Sequence, residues 1–438
     1  MSLLRLPRAA PALRRSYATA AASVAEASGV KVAGIENGSR AGTTTVTVAV
    51  KAGARYETTP GVAHVLKNFA FKSTASGSAL RTARETELYG GLLSAGLSRE
   101  HLFLTAEFLR GDEAHFLSLL ASVLSSTQFL AHEYSELVLP TVQGDALAAA
   151  ADPVTAALDA AHAVAFRRGL GNSLFAAAHT PVTLDAVKSY AQAAFAKSNI
   201  AVLGQGISTE ALGAAVESAF GAGSPSAASS LSTPASAYYG GEIRLPLDTH
   251  ANPTAKPTLV IAYGQAGAAT PELQVLANVL GGESALKWAP GQTLLSLAAS
   301  KTPGASARAV FTPYSDASLI SVVVQAPTDE AVRAVAADVA AAIKATASGV
   351  KDEQLKSAVA KAKFDQATAL ETQGSLVAAA TPALFAGSIP ASNASFSALD
   401  GVSSSAVSKA AQALFSAKPT VVAVGNTHVL PYADELGL

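Results

Sequence analysis

The chain has no cysteine in 438 residues, one methionine and one tryptophan, and only 14% of its residues are charged. Without cysteine it forms no disulfide, no thiolate zinc site and no iron–sulfur ligation of its own, so any redox centre it serves belongs to a partner. Outside the alanine-rich stretches there is no uninterrupted apolar run of about 20 residues, the length a bilayer-spanning helix needs. The best candidate, 145 to 166, is broken by Asp145, Asp152, Pro153, Asp159 and His162, so it reads as helix in water and any membrane association as peripheral. Histidine is scattered: His64, His101, His115, His132, His162, His179, His250 and His428 include no pair at metal-ligand spacing. His132 and Glu133 begin like a zinc-peptidase motif, but Glu136 stands where the second histidine belongs. No cofactor is expected from this inventory.

What is abundant is apolar, at 50% of the chain. That suits a protein with two or more full cores and much of its surface against partners. The first 25 residues differ in kind, with Arg5, Arg8, Arg14 and Arg15 and no acid before Glu26. This is the composition of a mitochondrial transit peptide, with cleavage expected after Tyr17. Its removal leaves 27 basic against 32 acidic residues, a balance that does not suggest nucleic-acid binding.

The most informative segment is Gly61-Val-Ala-His64-Val-Leu-Lys67-Asn68-Phe-Ala-Phe71-Lys-Ser-Thr74. Pro60 suits a first helical position with Thr58 or Thr59 as cap, predicting a helix over 60–72. On it His64, Lys67 and Asn68 stand at i, i+3 and i+4 and share a face, while Val65, Leu66 and Phe69 turn to a core.

This segment resembles the inverted zinc motif His-x-x-Glu-His of the pitrilysin-type peptidases, the family of the mitochondrial processing peptidase. Lys51-Ala-Gly53-Ala-Arg55-Tyr56-Glu57 is similar to that family's Gly-Ser-Arg-Tyr-Glu approach. Gly90-Gly91-Leu-Leu-Ser94-Ala95-Gly-Leu-Ser98-Arg99-Glu100 resembles its Gly-Gly-x-x-Asn-Ala-x-x-Ser-Arg-Glu segment. The resemblance implies that His64 holds the place of the first zinc histidine, Lys67 that of the catalytic glutamate, and Asn68 that of the second histidine. It places the third ligand at or near Asp145. A catalytic zinc needs three protein ligands and an open position for water. Asn68 offers only a neutral amide, and an ammonium at Lys67 repels a cation and accepts no proton. These four are therefore degenerate positions, with no catalytic, cofactor or metal site expected.

Two halves flank a Gly/Ser/Pro/Ala-rich segment, 221–240, that reads as linker. Val187 to Phe195 followed by Asn199 to Gly204 is echoed by Val407 to Phe415 followed by Thr420 to Gly425, an offset of about 220 residues that argues for duplication. Strands are expected at Thr43–Val50 and Pro257–Tyr263, each opening its half. The class is α+β, and the resemblance implies two homologous domains, 18–220 and 241–438, each a mixed β-sheet backed by α-helices. Gly204-Gln-Gly206 follows a strand and opens a helix, but Thr209 replaces the third glycine of a dinucleotide loop, so it reads as a turn. Asn37-Gly-Ser39 and Asn393-Ala-Ser395 fit a glycosylation sequon in a compartment that does not use it. Arg99-Glu100 and Arg84-Glu85 read as solvated ion pairs.

Degenerate members of this family include the alpha-type subunit of the processing peptidase and the core subunits of the cytochrome bc1 complex. The alpha type carries a long glycine-rich loop. Here the region runs Gly281-Gly282-Glu-Ser-Ala-Leu-Lys287-Trp288-Ala-Pro290-Gly291, similar to the core-subunit pattern. Tyr314-Ser-Asp316-Ala-Ser318-Leu-Ile-Ser321-Val322 resembles the family's Tyr-x-Asp-x-Gly-Leu-x-Gly-Val with serine for both glycines. The resemblance implies a structural, non-catalytic member of the core-subunit branch at the matrix face of the mitochondrial inner membrane. Its partners would be core subunit 1, cytochrome b and cytochrome c1 in a dimeric complex that can join respiratory supercomplexes.

Overall fold

The computed structural model describes residues 23–36, 42–177, 182–221, 231, 233–250, 252–283, 291–389 and 392–438. The transit peptide, Asn37, His179 and the Lys287-Trp288-Pro290 pattern lie outside the described residues.

Two mixed sheets organise the chain. The first contains β1 (Val24–Ala27), β2 (Val30–Ile35), β3 (Thr43–Val50), β4 (Leu92–Leu97), β5 (Leu102–Leu109) and β6 (Ile200–Gln205), in the order β1-β2-β6-β3-β5-β4. The second contains β7 (Gly241–Leu245), β8 (Thr258–Ala266), β9 (Ser306–Pro313), β10 (Ala317–Gln325) and β11 (Thr420–Val424), in the order β7-β11-β8-β10-β9. In each sheet one pair is parallel, β2 with β6 and β7 with β11, and the others are antiparallel. Without β1 the two orders superpose strand for strand, the topology a duplication leaves. β3 and β8 do not open their halves, because β1–β2 and β7 precede them.

Each sheet buries one face under helices of its own half. Val46, Val48 and Val50 of β3 and Leu102, Leu104 and Phe108 of β5 pack against Val65, Leu66, Phe116, Leu120, Val187 and Leu212. Leu259, Ile261, Ile320 and Val322 do the same against Leu276, Val335, Val339 and Val407. Alternation along each strand sends the other residues to the opposite face, here called inner.

The inner faces are covered by exchange. Helix Pro153–Phe166, from the first half, lays Ala157, Ala161 and Ala165 on Val260, Ala262, Leu319, Val422 and Val424 of the second sheet. Helix Gln373–Ala386, from the second half, lays Leu376, Val377, Ala380 and Leu384 on Ala33, Ile35, Ala201 and Leu203 of the first. The two helices begin and end 220 positions apart, so they are the same element of the repeat. The apolar stretch at 145–166 is thus two helices, Leu139–Ala151 and Pro153–Phe166, split at Asp152, whose carboxylate caps the second by accepting from the Thr155 amide at 3.0 Å. Among the described residues no helix is long and apolar enough to cross a membrane.

The segment read as linker is partly tied down. Residues 222–230 and 232 lie outside the described residues, but Thr233 and Ser236 hydrogen-bond into the centre of the molecule. The Tyr238 hydroxyl donates to the Lys418 carbonyl at 2.7 Å. Gly204 ends β6 and Thr209 starts the helix Thr209–Gly221, a strand-to-helix turn as expected.

Candidate functional site and its relatives

The helix carrying His64 is shorter than the sequence suggests, Val62–Asn68. Neither threonine caps it. Gly61 takes the cap position at φ +84°, a conformation that favours glycine, and an added Cβ would stand 2.5 Å from Ala176. The Glu57 carboxylate accepts from the Gly61 and Ala63 amides, both at 3.0 Å, and so caps from outside the helix. Burial pushes its pKa up to about 7 despite those two amides. At the other end Phe71 adopts φ +60°, and the chain leaves the helix after Asn68. Val65, Leu66 and Phe69 are buried as expected.

The structure brings His64, Lys67 and Asp145 together. Asp145 Oδ2 lies 3.1 Å from His64 Nε2 and 3.2 Å from Lys67 Nζ. Asn68 does not join them: its amide turns back along the helix and donates to the His64 carbonyl at 3.1 Å. Asp145 reaches the site from helix Leu139–Ala151, preceded by a π-turn at Tyr134–Val138. Pro140 accounts for that wider turn, since it lacks an amide proton and crowds the carbonyl four residues back.

The electrostatics favour this closed triad. On its other nitrogen, Nδ1, His64 accepts from the Ala176 amide at 3.2 Å. The imidazole proton therefore sits on Nε2 and is donated to Asp145. Burial, together with the Lys67 charge, lowers the His64 pKa against the pull of Asp145. Burial would raise the Asp145 carboxyl, but the hydrogen bonds from His64 and Lys67 outweigh it and hold the carboxyl low.

These residues do not fit a zinc ion. A metal would need the lone pair of His64 Nε2, and moving the proton to Nδ1 would set it against the Ala176 N–H. Lys67 occupies the carboxylate that would be the other ligand, and Asn68 points away. Among the described residues no three His, Asp or Glu side chains stand close enough to hold a metal.

Arg99 and Glu100 are not solvated and do not pair with one another. Both are buried. Arg55 Nη1 donates to Glu100 Oε1 at 2.8 Å, and its two terminal nitrogens grip Asp316 at 2.7 and 2.6 Å. Ser315 donates to Glu100, and Ser236 donates to Asp316 through both amide and hydroxyl. Arg99 donates to Asp159 at 2.6 Å and to the Leu170 and Asn172 carbonyls. Nearby the Tyr314 hydroxyl donates to His162 Nε2 at 2.7 Å, because His162 Nδ1 is used on the Leu158 carbonyl. Burial drives His162 down to about 3 and Tyr314 up to about 12. Next to this network lies a cavity of about 700 Å³ between the halves, walled by residues including Phe103, Leu158, Phe175, Tyr314 and Pro382. Glu85 pairs in solvent with Arg81, four residues earlier on the same helix, at 2.6 Å.

Residues 32–178 match the model of the insulinase family, peptidase family M16, and residues 181–362 match the peptidase M16 inactive domain. The mitochondrial cytochrome b–c1 complex subunit 2 of Cryptococcus neoformans is 58% identical over all of both chains. The chain belongs to the M16 peptidase family. Subunit 2 of Neurospora crassa is 41% identical, covering 99% of this chain and 96% of that one, and the human subunit is 26% identical over 93% and 90%. A protease from Helicobacter pylori shares the fold at a TM-score of 0.80 and 15% identity, covering 92% of this chain and 99% of that one.

Within the M16 family this chain is a non-catalytic member of the subunit 2 group, with two M16-type domains. The resemblance drawn from motifs is therefore upheld, as is the α+β class. What motif reading missed was the use of the flanking motifs. Arg55, Arg99, Glu100, Tyr314 and Asp316, separate in sequence, converge on one junction between the halves.

Proposed function

We propose that this chain is the second core subunit of respiratory complex III, a scaffold without redox or peptidase chemistry of its own. It lies peripherally on the matrix side of the mitochondrial inner membrane and supports the assembly and stability of the complex. Its partners are core subunit 1, cytochrome b and cytochrome c1, in a dimeric complex that enters supercomplexes. The observation that carries this reading is the closed His64–Asp145–Lys67 triad on an M16 frame, in a chain whose relatives are named as subunit 2 of the cytochrome b–c1 complex. The ammonium at Lys67 supplies no base, and the carboxylate it holds supplies no free ligand.

The test is a mild-detergent native gel of mitochondria. This polypeptide is expected to migrate with b- and c-type haem absorbance in near-stoichiometric amount. Recovery only with a soluble matrix peptidase would replace the reading with that of an alpha-type processing subunit. Zinc at about one per chain, with cleavage lost on His64→Ala, would refute the absence of peptidase chemistry.

A further inference from the structure

We propose that a cleft on the helix-covered side of the first half binds a single-chain amphiphile with an anionic head, the chemistry of a fatty acid or a lysophospholipid. It lies between the end of helix Glu113–Ser126 and helix Leu184–Ala194, and none of His64, Lys67 or Asp145 lines it. Its volume of about 540 Å³ falls in the range of small-molecule sites. Val123, Leu124, Phe129, Ala191 and Phe195 give it an apolar floor. A much smaller cavity of about 10 Å³ shares Val123, Phe129 and Phe195 with it and reaches Leu66 and Leu104 in the core, the direction for an apolar tail. Phe129, which walls both, adopts φ +48°, a left-handed backbone uncommon for an aromatic residue. The rim is polar and carries one charge. Lys188 and Gln192, at i and i+4, share a face of their helix, Gln128 stands on the other wall, and no carboxylate lines the cleft. Among the described residues none of these three side chains makes a hydrogen bond or ion pair, and Asp185, one turn earlier, does not pair with Lys188. Bare carbonyls at a helix end would oppose an anion. At the end of Glu113–Ser126 they are partly spent: Val123 accepts from the Thr127 hydroxyl at 2.7 Å and Ser126 from the Ala75 amide at 3.0 Å.

The second half contains the same place in closed form. Ser408 and Gln412 stand 220 positions on from Lys188 and Gln192, on helix Ser404–Phe415. Ser408 Oγ accepts from the Val350 amide at 3.2 Å and Gln412 donates to the Ala347 carbonyl at 3.0 Å, which ties that helix to the end of helix Asp329–Ser348. Among the described residues the first half makes neither bond, and it has a cation where the second has a serine. Packing does not require a cleft at this position, since one copy of the repeat does without it. The free ammonium over an apolar floor selects a tail with a negative head against a neutral or cationic one.

The test titrates the purified full chain with decanoate in a calorimeter, and with decanol and decyltrimethylammonium as the same tail without a charge and with a positive one. Decanoate is expected to bind at least about tenfold tighter than either, the weight of a charge-assisted contact. Lys188→Glu should abolish that difference while leaving decanol within about twofold, which also shows that the variant is folded. Equal affinity for all three, or decanoate binding untouched by Lys188→Glu, would overturn the proposal. A decanoate with a terminal diazirine is expected to label residues 123–129 and 187–195 on irradiation, in competition with decanoate. Labelling confined to other segments would overturn it. So would a carbodiimide cross-link from Lys188 to a carboxylate of a neighbouring polypeptide in the native assembly, which would assign the cleft to a peptide. Decyl phosphate against decanoate separates the two sources: tighter decanoate binding names a fatty acid, and tighter decyl phosphate binding a lysophospholipid head.

Discussion

Replacing Arg55 with methionine removes the one cation that Glu100 and Asp316 share and leaves both carboxylates without it. Arg55 and Glu100 have side chains only 6% and 8% exposed, while Asp316 is 31% exposed. Burial works against the Arg55 charge, but Asp316 and Glu100 outweigh it and raise its pKa. Glu100 would keep the Ser315 amide and hydroxyl, and Asp316 would keep Ser236, so neither is stripped of every donor. Breaking a buried pair of this kind costs about 3–5 kcal/mol because the remaining charge stays buried. For one cooperative unit of about 400 residues, an unfolding entropy of about 2.1 cal/mol/K per residue gives roughly 0.8 kcal/mol per degree, so Tm should fall by about 4–6 °C. Arg55→Lys keeps the charge and loses the two-pronged grip on Asp316, and should fall between wild type and Arg55→Met. The assay is differential scanning calorimetry on these variants, Asp316→Asn and the Arg55→Met/Asp316→Asn pair. A loss below about 1 kcal/mol for Arg55→Met, the level of a surface pair, would refute the assigned role. So would strict additivity in the double variant, since contacting residues in a network should couple.

Burial drives His101 to about 4 and His162 to about 3, below the usual 6.5 of the unfolded chain. The stability each contributes is present above pH 6.5 and lost as pH falls toward the folded value, about 2 kcal/mol per histidine by pH 5. Glu57, raised to about 7, acts with the opposite sign, so the measurement is a difference. The change in urea midpoint between pH 7 and 5 should be smaller in His162→Gln than in wild type. Ser321 is 1% exposed and its hydroxyl has no hydrogen-bond partner among the described residues, so Ser321→Ala should raise stability by about 1 kcal/mol in denaturant titration. Gly53 has no room for a side chain, since a Cβ would stand 2.3 Å from the Arg99 carbonyl oxygen, and Gly53→Ala should cost about 1–3 kcal/mol. Lys67→Glu/Asn68→His should still fail to take up stoichiometric zinc in a titration, because the Ala176 amide fixes the His64 tautomer; tight uptake would show that the two replaced side chains alone abolished the site.

Local pattern carried the strands, the helix face and the meeting of His64 with Asp145, because periodicity and a matching frame act over short spans or by descent. Val65, Leu66 and Phe69 went to the core together with Val62, the apolar residues of that short helix and its end. The cap by Glu57 was hidden, because threonines nearer the helix satisfy the usual rule while the left-handed Gly61 displaces them. The burial of Arg99 and Glu100 was hidden for a different reason. Adjacent opposite charges look like a surface pair until their partners, Asp159 and Arg55, are known to arrive from other elements. The exchange of helices left no local mark at all: an alanine stripe reads the same whichever sheet it lies on.

That exchange sets an order of events for the growing chain. The first sheet has all its strands once Gln205 is made, yet its inner face stays open until the helix ending at Ala386 arrives, and the second sheet cannot close before β11 at Thr420–Val424. Nearly the whole polypeptide must be present before either half can finish, so neither half can close its sheet on both faces from its own residues. A truncation of the last strand would unmake a helix site whose own residues end at Phe166, far upstream in the chain.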